Sequence, residues 1–153
     1  MFVYRVASRR YAADNSEGAR LYGGRWNHPG PPVIYTSATR SLAALEVIVN
    51  NGAVPTDCRV VVIQLPDSLL IESVPITDLA EGWPAVDSSV ATADLGTAWA
   101  SSLRTAVLRV PSAVIPAEHN YILNPQHPDF ATIQFESPVA EYLDPRLRVK
   151  EAI

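Results

Sequence analysis

At 153 residues, with 48% hydrophobic side chains and a mean hydropathy of +0.07, the chain has the length and apolar content of a single soluble globular domain spanning 1–153, which excludes a disordered protein. A formal net charge of −4 and a pI near 5.3 leave no basic footprint for direct nucleic-acid binding. No apolar run reaches the ~20 residues of a membrane-spanning helix, and the N-terminus Met1-Phe2-Val3-Tyr4-Arg5 lacks the order of a signal peptide, so a cytoplasmic protein with no membrane role is expected. Cys58 is the sole cysteine, which rules out an internal disulfide and a thiolate zinc cluster. His28, His119 and His127 show no metal-ligand spacing, and His28 and His127 each precede a proline, as loop residues do; no metal site is expected.

In chain order, Phe2–Val6 reads as a first strand with Arg5 as a polar position within it, and Ala7–Tyr22 as an irregular polar segment with at most one helical turn. Gly23-Gly24-Arg25-Trp26-Asn27 forms a glycine loop that lets a ligand approach the main chain and presents Arg25. Val33–Thr36 reads as a short buried strand. Ser37 or Thr39 then caps a helix running from about Ser41 to Asn50, which Gly52 ends. Between Leu42 and Val49 that helix has one charge, Glu46, so it is expected to be buried with a partner, such as Arg25 or Arg5, facing the carboxylate.

Arg59–Leu65 is the strongest strand pattern, apolar on both faces as a central strand would be. Pro66–Ala91 allows only small edge strands. A second helix opens near Thr92, with Leu95, Trp99 and Leu103 on one face as core. Thr105–Val110 is a strand broken by Pro111-Ser112 and continued by Val114-Ile115; Asn120–Leu123 is another, followed by a turn over Asn124–Asp129 and a strand-prone tail from Ile133 to Leu147.

Arg-Trp-Asn after two glycines, Tyr35-Thr36-Ser37, Leu-Ala-Ala-Leu-Glu46, Val110-Pro111-Ser112-Ala113-Val114, Asn120–Pro125 and Asp144-Pro145-Arg146-Leu147 together resemble the RES domain over nearly the whole chain. The resemblance implies an α/β (α+β) fold of the ADP-ribosyltransferase type, with a mixed, split β-sheet core, flanking helices and a NAD+ cleft. It implies the toxin of a bacterial type II toxin–antitoxin pair that consumes NAD+ as substrate, without a cofactor. The partner it implies is a helix-turn-helix, Xre-like antitoxin that blocks the cleft and is the protein's only route to DNA; a homodimer within the complex is compatible with it. It carries the family's arginine, glutamate and serine onto Arg25, Glu46 and Ser112, with Tyr35 as the aromatic member, as catalytic residues.

The residues suit that chemistry. Cleaving the nicotinamide–ribose bond passes through an oxocarbenium-like state that a fixed carboxylate stabilises, and Glu46 can supply it. Arginine binds pyrophosphate through a planar fork. Arg5, Arg25, Tyr35, Ser112 and Asn120 form the expected nucleotide-binding set, with Tyr35 stacking on nicotinamide and Ser112 donating to a phosphate or ribose oxygen. Tyr35 equally suits a core strand and Ser112 a turn. The acceptor of the ADP-ribosyl group stays open between water, phosphate and, for an ADP-ribosyltransferase, a side chain of a target protein, as does a catalytically idle module that binds a nucleotide or a partner.

Overall fold

Runs of β-branched and aromatic residues set the strands, and the glycines and prolines between them set the turns. The computed structural model describes residues 1–85 and 89–147. Its strands are β1 (Phe2–Ser8), β2 (Ile34–Ser37), β3 (Cys58–Gln64), β4 (Ile71–Ser73), β5 (Val107–Pro111), β6 (His119–Leu123), β7 (Gln134–Phe135) and β8 (Val139–Ala140). The α-helices among the described residues are α1 (Glu17–Tyr22), α2 (Arg40–Asn51) and α3 (Ser89–Ser102). The strands form one mixed sheet of order β4-β5-β6-β2-β1-β3-β7, with β8 also on β3, and only β4 and β5 run parallel.

The sheet is split, as expected. β1 pairs with β3 along its full length from Phe2↔Gln64 to Ser8↔Cys58, whereas β1 and β2 meet at the single pair Tyr4↔Ser37. Paired residues share a face and alternate ones oppose it, so Tyr4, Val6, Tyr35, Ser37, Asn120 and Ile122 lie on one side of the sheet. On that side α3 buries Trp99 and Ala100 against Leu108, Val110 and Ile122, while α2 sets Ala43 against Val6, Cys58 and Val60. Each helix covers one half-sheet, and the gap between them lies over the split. The opposite side carries the other core layer, with Val3, Ile34, Val61, Ile63, Leu65, Val107 and Leu123.

Several local expectations are corrected. Helix α2 starts one residue early, with Thr39 as its cap accepting from Leu42 N at 3.1 Å and Gly52 closing it at φ 67°. It is only partly covered: Leu42, Ala43 and Ile48 are buried but Val49 is exposed, because the helix flanks a cleft instead of crossing the core. Helix α3 starts by Ser89, and its buried face is Thr92, Ala93, Gly96, Trp99 and Ala100. Leu103 lies past the helix end at φ 53° and is exposed, so the spacing-four stripe stops at Trp99. Strand β3 is next to the edge of the sheet; β1 pairs with its inner side and the short β7 and β8 with its outer side, so both its edges are paired without a central place. Val114 and Ile115 belong to the β5–β6 turn, because their amides bend back onto the Ser112 hydroxyl. Ala7–Ser8 extends β1, and Glu17–Tyr22 is the helical part of the segment read as irregular.

Candidate active site

The glycine loop is built by contacts that a side chain would forbid. A Cβ on Gly23, which has φ 72°, would sit 2.8 Å from the Asn27 carbonyl oxygen, and one on Gly24 would sit 2.6 Å from the Tyr35 hydroxyl. The loop closes through Gly24 N donating to Asn27 O at 2.8 Å. Asn27 is buried and fastens it: its Nδ2 donates to Ala19 O and His28 O, and its Oδ1 accepts from the Tyr35 hydroxyl at 2.7 Å. The same hydroxyl accepts from Trp26 N at 3.0 Å. Burial pushes the Tyr35 phenol well above its ordinary pKa, so it stays a neutral donor. Helix α3 locks the other side. Thr92 Oγ1 donates to Arg25 O at 2.7 Å, and Gly96 lets the helix touch the Trp26 carbonyl so closely that a Cβ would lie 1.8 Å from that oxygen.

Between α2, the glycine loop and the β5–β6 turn lies a cleft of about 820 Å³, with a smaller lobe of about 250 Å³ running toward the split between β1 and β2. The two lobes share Ala19, Tyr35, Glu46, Asn50 and Asn120, so Glu46 stands at their junction. The larger lobe falls within the ~300–1,000 Å³ typical of small-molecule pockets.

The partner of Glu46 is not an arginine. Its Oε1 accepts from Ser112 Oγ at 2.7 Å and from Asn120 Nδ2 at 2.5 Å, and the ion pairs among the described residues do not include it. Among the described residues its Oε2 accepts no hydrogen bond. One carboxylate oxygen is therefore fixed by two neutral donors while the other is open to the cleft. Neutral donors meet the polar requirement of the half-buried carboxylate as an arginine would, without compensating its charge.

Ser112 has a different place from the one expected. It is fully buried, donates its one hydroxyl hydrogen to Glu46, and accepts from Val114 N and Ile115 N at 3.0 Å each. No donor is left for a ligand oxygen, and its one hydroxyl hydrogen goes to Glu46. Asn120 borders both lobes. Arg25 borders the large lobe, but its Nη1 donates to Trp83 O and Ala85 O and its Nη2 to Pro84 O, at 3.0 to 3.2 Å. Three of the five guanidinium donors thus hold the wall at 83–85, and the other two have no acceptor among the described residues. Arg20, beside the loop, is already paired with Glu17 at 2.8 Å and adds no unpaired charge. Arg5 borders the small lobe; its Nη1 donates to Ala13 O at 3.0 Å, and burial lowers its pKa while Asp14 works the other way.

The structure thus groups Tyr35, Glu46, Ser112 and Asn120, with Arg25 on one wall and Arg5 at the far lobe. Sequence reasoning gave no site role to Asn27, which orients Tyr35, or to Ser37, whose hydroxyl donates to Asn120 Oδ1 at 2.7 Å. Asn27 lay inside the Arg-Trp-Asn motif, and Ser37 was read only as a helix cap.

A family model described as the RES domain matches residues 2–144. The chain belongs to the RES domain family. Among curated relatives of this RES domain protein, "Prs ADP-ribosylating toxin" of Sphingobium sp. (strain YBL2) is 38% identical over 152 residues, covering 94% of each chain. "Toxin Res" of Yersinia enterocolitica is 36% identical over 153 residues, covering 97% of this chain and 100% of its own. The solved toxin of the M. tuberculosis MbcT-MbcA toxin-antitoxin complex has a similar fold, with a TM-score of 0.74 at 24% identity over 95% of this chain and 85% of that one.

Proposed function

We propose that this protein is the toxin of a bacterial toxin–antitoxin pair and that it cleaves NAD+ at the nicotinamide–ribose bond in the cytoplasm, stopping growth by depleting NAD+. The observation that carries the reading is Glu46: one oxygen fixed by Ser112 and Asn120, the other open where two lobes meet. The relatives named Toxin Res support the toxin role.

In this mechanism the open oxygen of Glu46 accepts a hydrogen bond from the ribose and faces the positive charge that grows at the anomeric carbon as its bond to nicotinamide lengthens. The bonding pair leaves with the nicotinamide nitrogen, which becomes neutral. An acceptor oxygen then attacks the anomeric carbon and loses its proton to solvent. Tyr35, kept neutral by burial and held in place by its bonds to Asn27 and Trp26, forms the rigid wall beside the reacting ring. Arg25's two remaining donors suit a phosphate, and the wall it ties down limits water in the large lobe.

A small helix-turn-helix antitoxin encoded beside this gene would silence the enzyme by occupying the cleft. Expression of the protein alone in a bacterium is the test: NAD+ should fall and division stop, and co-expression of the neighbouring helix-turn-helix protein should reverse both. Normal growth with an unchanged NAD+ pool, at verified soluble expression, would remove the toxin reading.

The relative named "Prs ADP-ribosylating toxin" favours a second reading, in which a protein side chain is the acceptor. With adenine-labelled NAD+ and bacterial lysate, that reading places the label on a protein, whereas hydrolysis places it on free ADP-ribose.

A further inference from the structure

We infer that Ser37 is a positioning residue for this site, acting on Glu46 through Asn120; the inference rests on the reading of Glu46 as the group that faces the substrate. An asparagine amide is nearly symmetric in shape, and turning it over exchanges a donor for an acceptor. The direction of the Asn120 amide therefore decides whether Glu46 meets an NH2 group or a carbonyl oxygen. Ser37 fixes that direction. It stands directly opposite Asn120 in the β2–β6 register, so the two side chains share the cleft face, and its hydroxyl donates to Asn120 Oδ1 at 2.7 Å. The amide nitrogen is then left to face Glu46 Oε1.

Both side chains are buried, at 3% and 8% exposure, so water is a poor substitute for either contact. With Ser37 gone, the turned-over amide would set Oδ1 against the carboxylate oxygen, acceptor against acceptor, and Glu46 would keep only Ser112 as a donor. Ser37 is also the β2 residue at the single pair joining the half-sheets, so the chain Ser37–Asn120–Glu46 references the carboxylate to the seam beneath the cleft.

The test is a set of variants of the full chain assayed for nicotinamide release. Ser37→Ala should lower kcat about tenfold with KM changed less than about twofold, and Ser37→Thr, which keeps the hydroxyl, should recover most of the loss. Asn120→Ala should cost about a hundredfold, and adding Ser37→Ala to it should cost nothing more, because Ser37 then has no amide to orient. A residue that merely stabilised the fold would lower the melting temperature and add its effect to that of Asn120→Ala.

A second readout does not need turnover. In the ligand-free protein the Asn120 side-chain amide protons, held by Glu46, should resonate away from solvent-exposed amides and exchange slowly, and Ser37→Ala should move them toward the exposed values. Additive losses, or a Ser37→Ala protein with parent kcat and unchanged amide signals, would overturn the inference. If the parent protein releases no nicotinamide, the functional reading fails by itself, and the amide signals still decide whether Ser37 orients Asn120.

Discussion

Replacing Tyr35 by phenylalanine isolates the contact that ties the glycine loop to the sheet. The ring and its packing stay; only the hydroxyl goes, and with it the bonds to Trp26 N at 3.0 Å and to Asn27 Oδ1 at 2.7 Å. Trp26 and Asn27 are 3% and 1% exposed, so both groups would be left without their partner in a place that water reaches only through the cleft. An orphaned buried group costs about 1–3 kcal/mol; taking the low half of that range for each of two groups near a cleft gives a loss of about 2–4 kcal/mol. For a chain of this length that lowers the melting temperature by roughly 4–16 °C. Thermal unfolding of the two proteins side by side is the assay, with nicotinamide release measured on the same samples. The expected outcome is a lower melting temperature together with a raised KM, since the loop carrying Arg25 loses its anchor. A Tyr35→Phe protein melting within a degree of the parent would refute the claim that this hydroxyl holds the loop.

Gly96→Ala should be among the most damaging single changes, because the added methyl would meet the Trp26 carbonyl at 1.8 Å and drive α3 off the loop. A loss of about 3 kcal/mol or more, read by chemical denaturation, is expected, and stability near the parent's would contradict the packing described. The His119 imidazole provides a pH-dependent counterpart. Burial and the Arg109 guanidinium, whose Nη2 lies 3.1 Å from Nε2, hold its pKa below the ordinary value. The unfolded chain then takes up a proton near pH 6.5 that the folded chain refuses, so the stability tied to this group is full above about pH 6.5 and is lost as pH falls below it. Denaturation midpoints between pH 8 and 5 should fall less steeply in His119→Gln than in the parent; equal slopes would exclude the effect.

What the sequence disclosed depended on how local the chemistry was. Thr39 and Gly52 bound α2 because capping and chain reversal act within a few residues, and the split, mixed sheet followed from the resemblance. Glu46 was legible as the lone charge in an apolar run. Its partners were not, since Ser112 and Asn120 come from 66 and 74 residues away and a carboxylate can be satisfied by an ion pair or by neutral donors. Arg25 was read as a hand held out to a ligand, but most of its donors were claimed by the carbonyls at 83–85, a contact that exists only once the chain has folded back. Ser37 illustrates a competition that sequence cannot decide: Ser37 and Thr39 both suit the cap of α2, Thr39 takes it, and Ser37 is released to the cleft floor. The α3 stripe failed at Leu103 because no glycine or proline marks where the helix stops.

The central claim is that the Glu46 carboxylate, fixed on one side and open on the other, stabilises the oxocarbenium-like state, and Glu46→Gln tests it most directly. Glutamine keeps a carbonyl oxygen for Ser112 and Asn120, so the fold should be undisturbed and the melting temperature should stay within about 2 °C of the parent. It removes the charge that faces the cleft, which should cost about 3 kcal/mol of transition-state stabilisation, a hundredfold or more in rate, while NAD+ affinity changes little. Nicotinamide release and thermal unfolding measured on one preparation separate these effects. A well-folded Glu46→Gln protein that binds NAD+ but scarcely releases nicotinamide is the expected result; one that turns over NAD+ at the parent rate would contradict the mechanism.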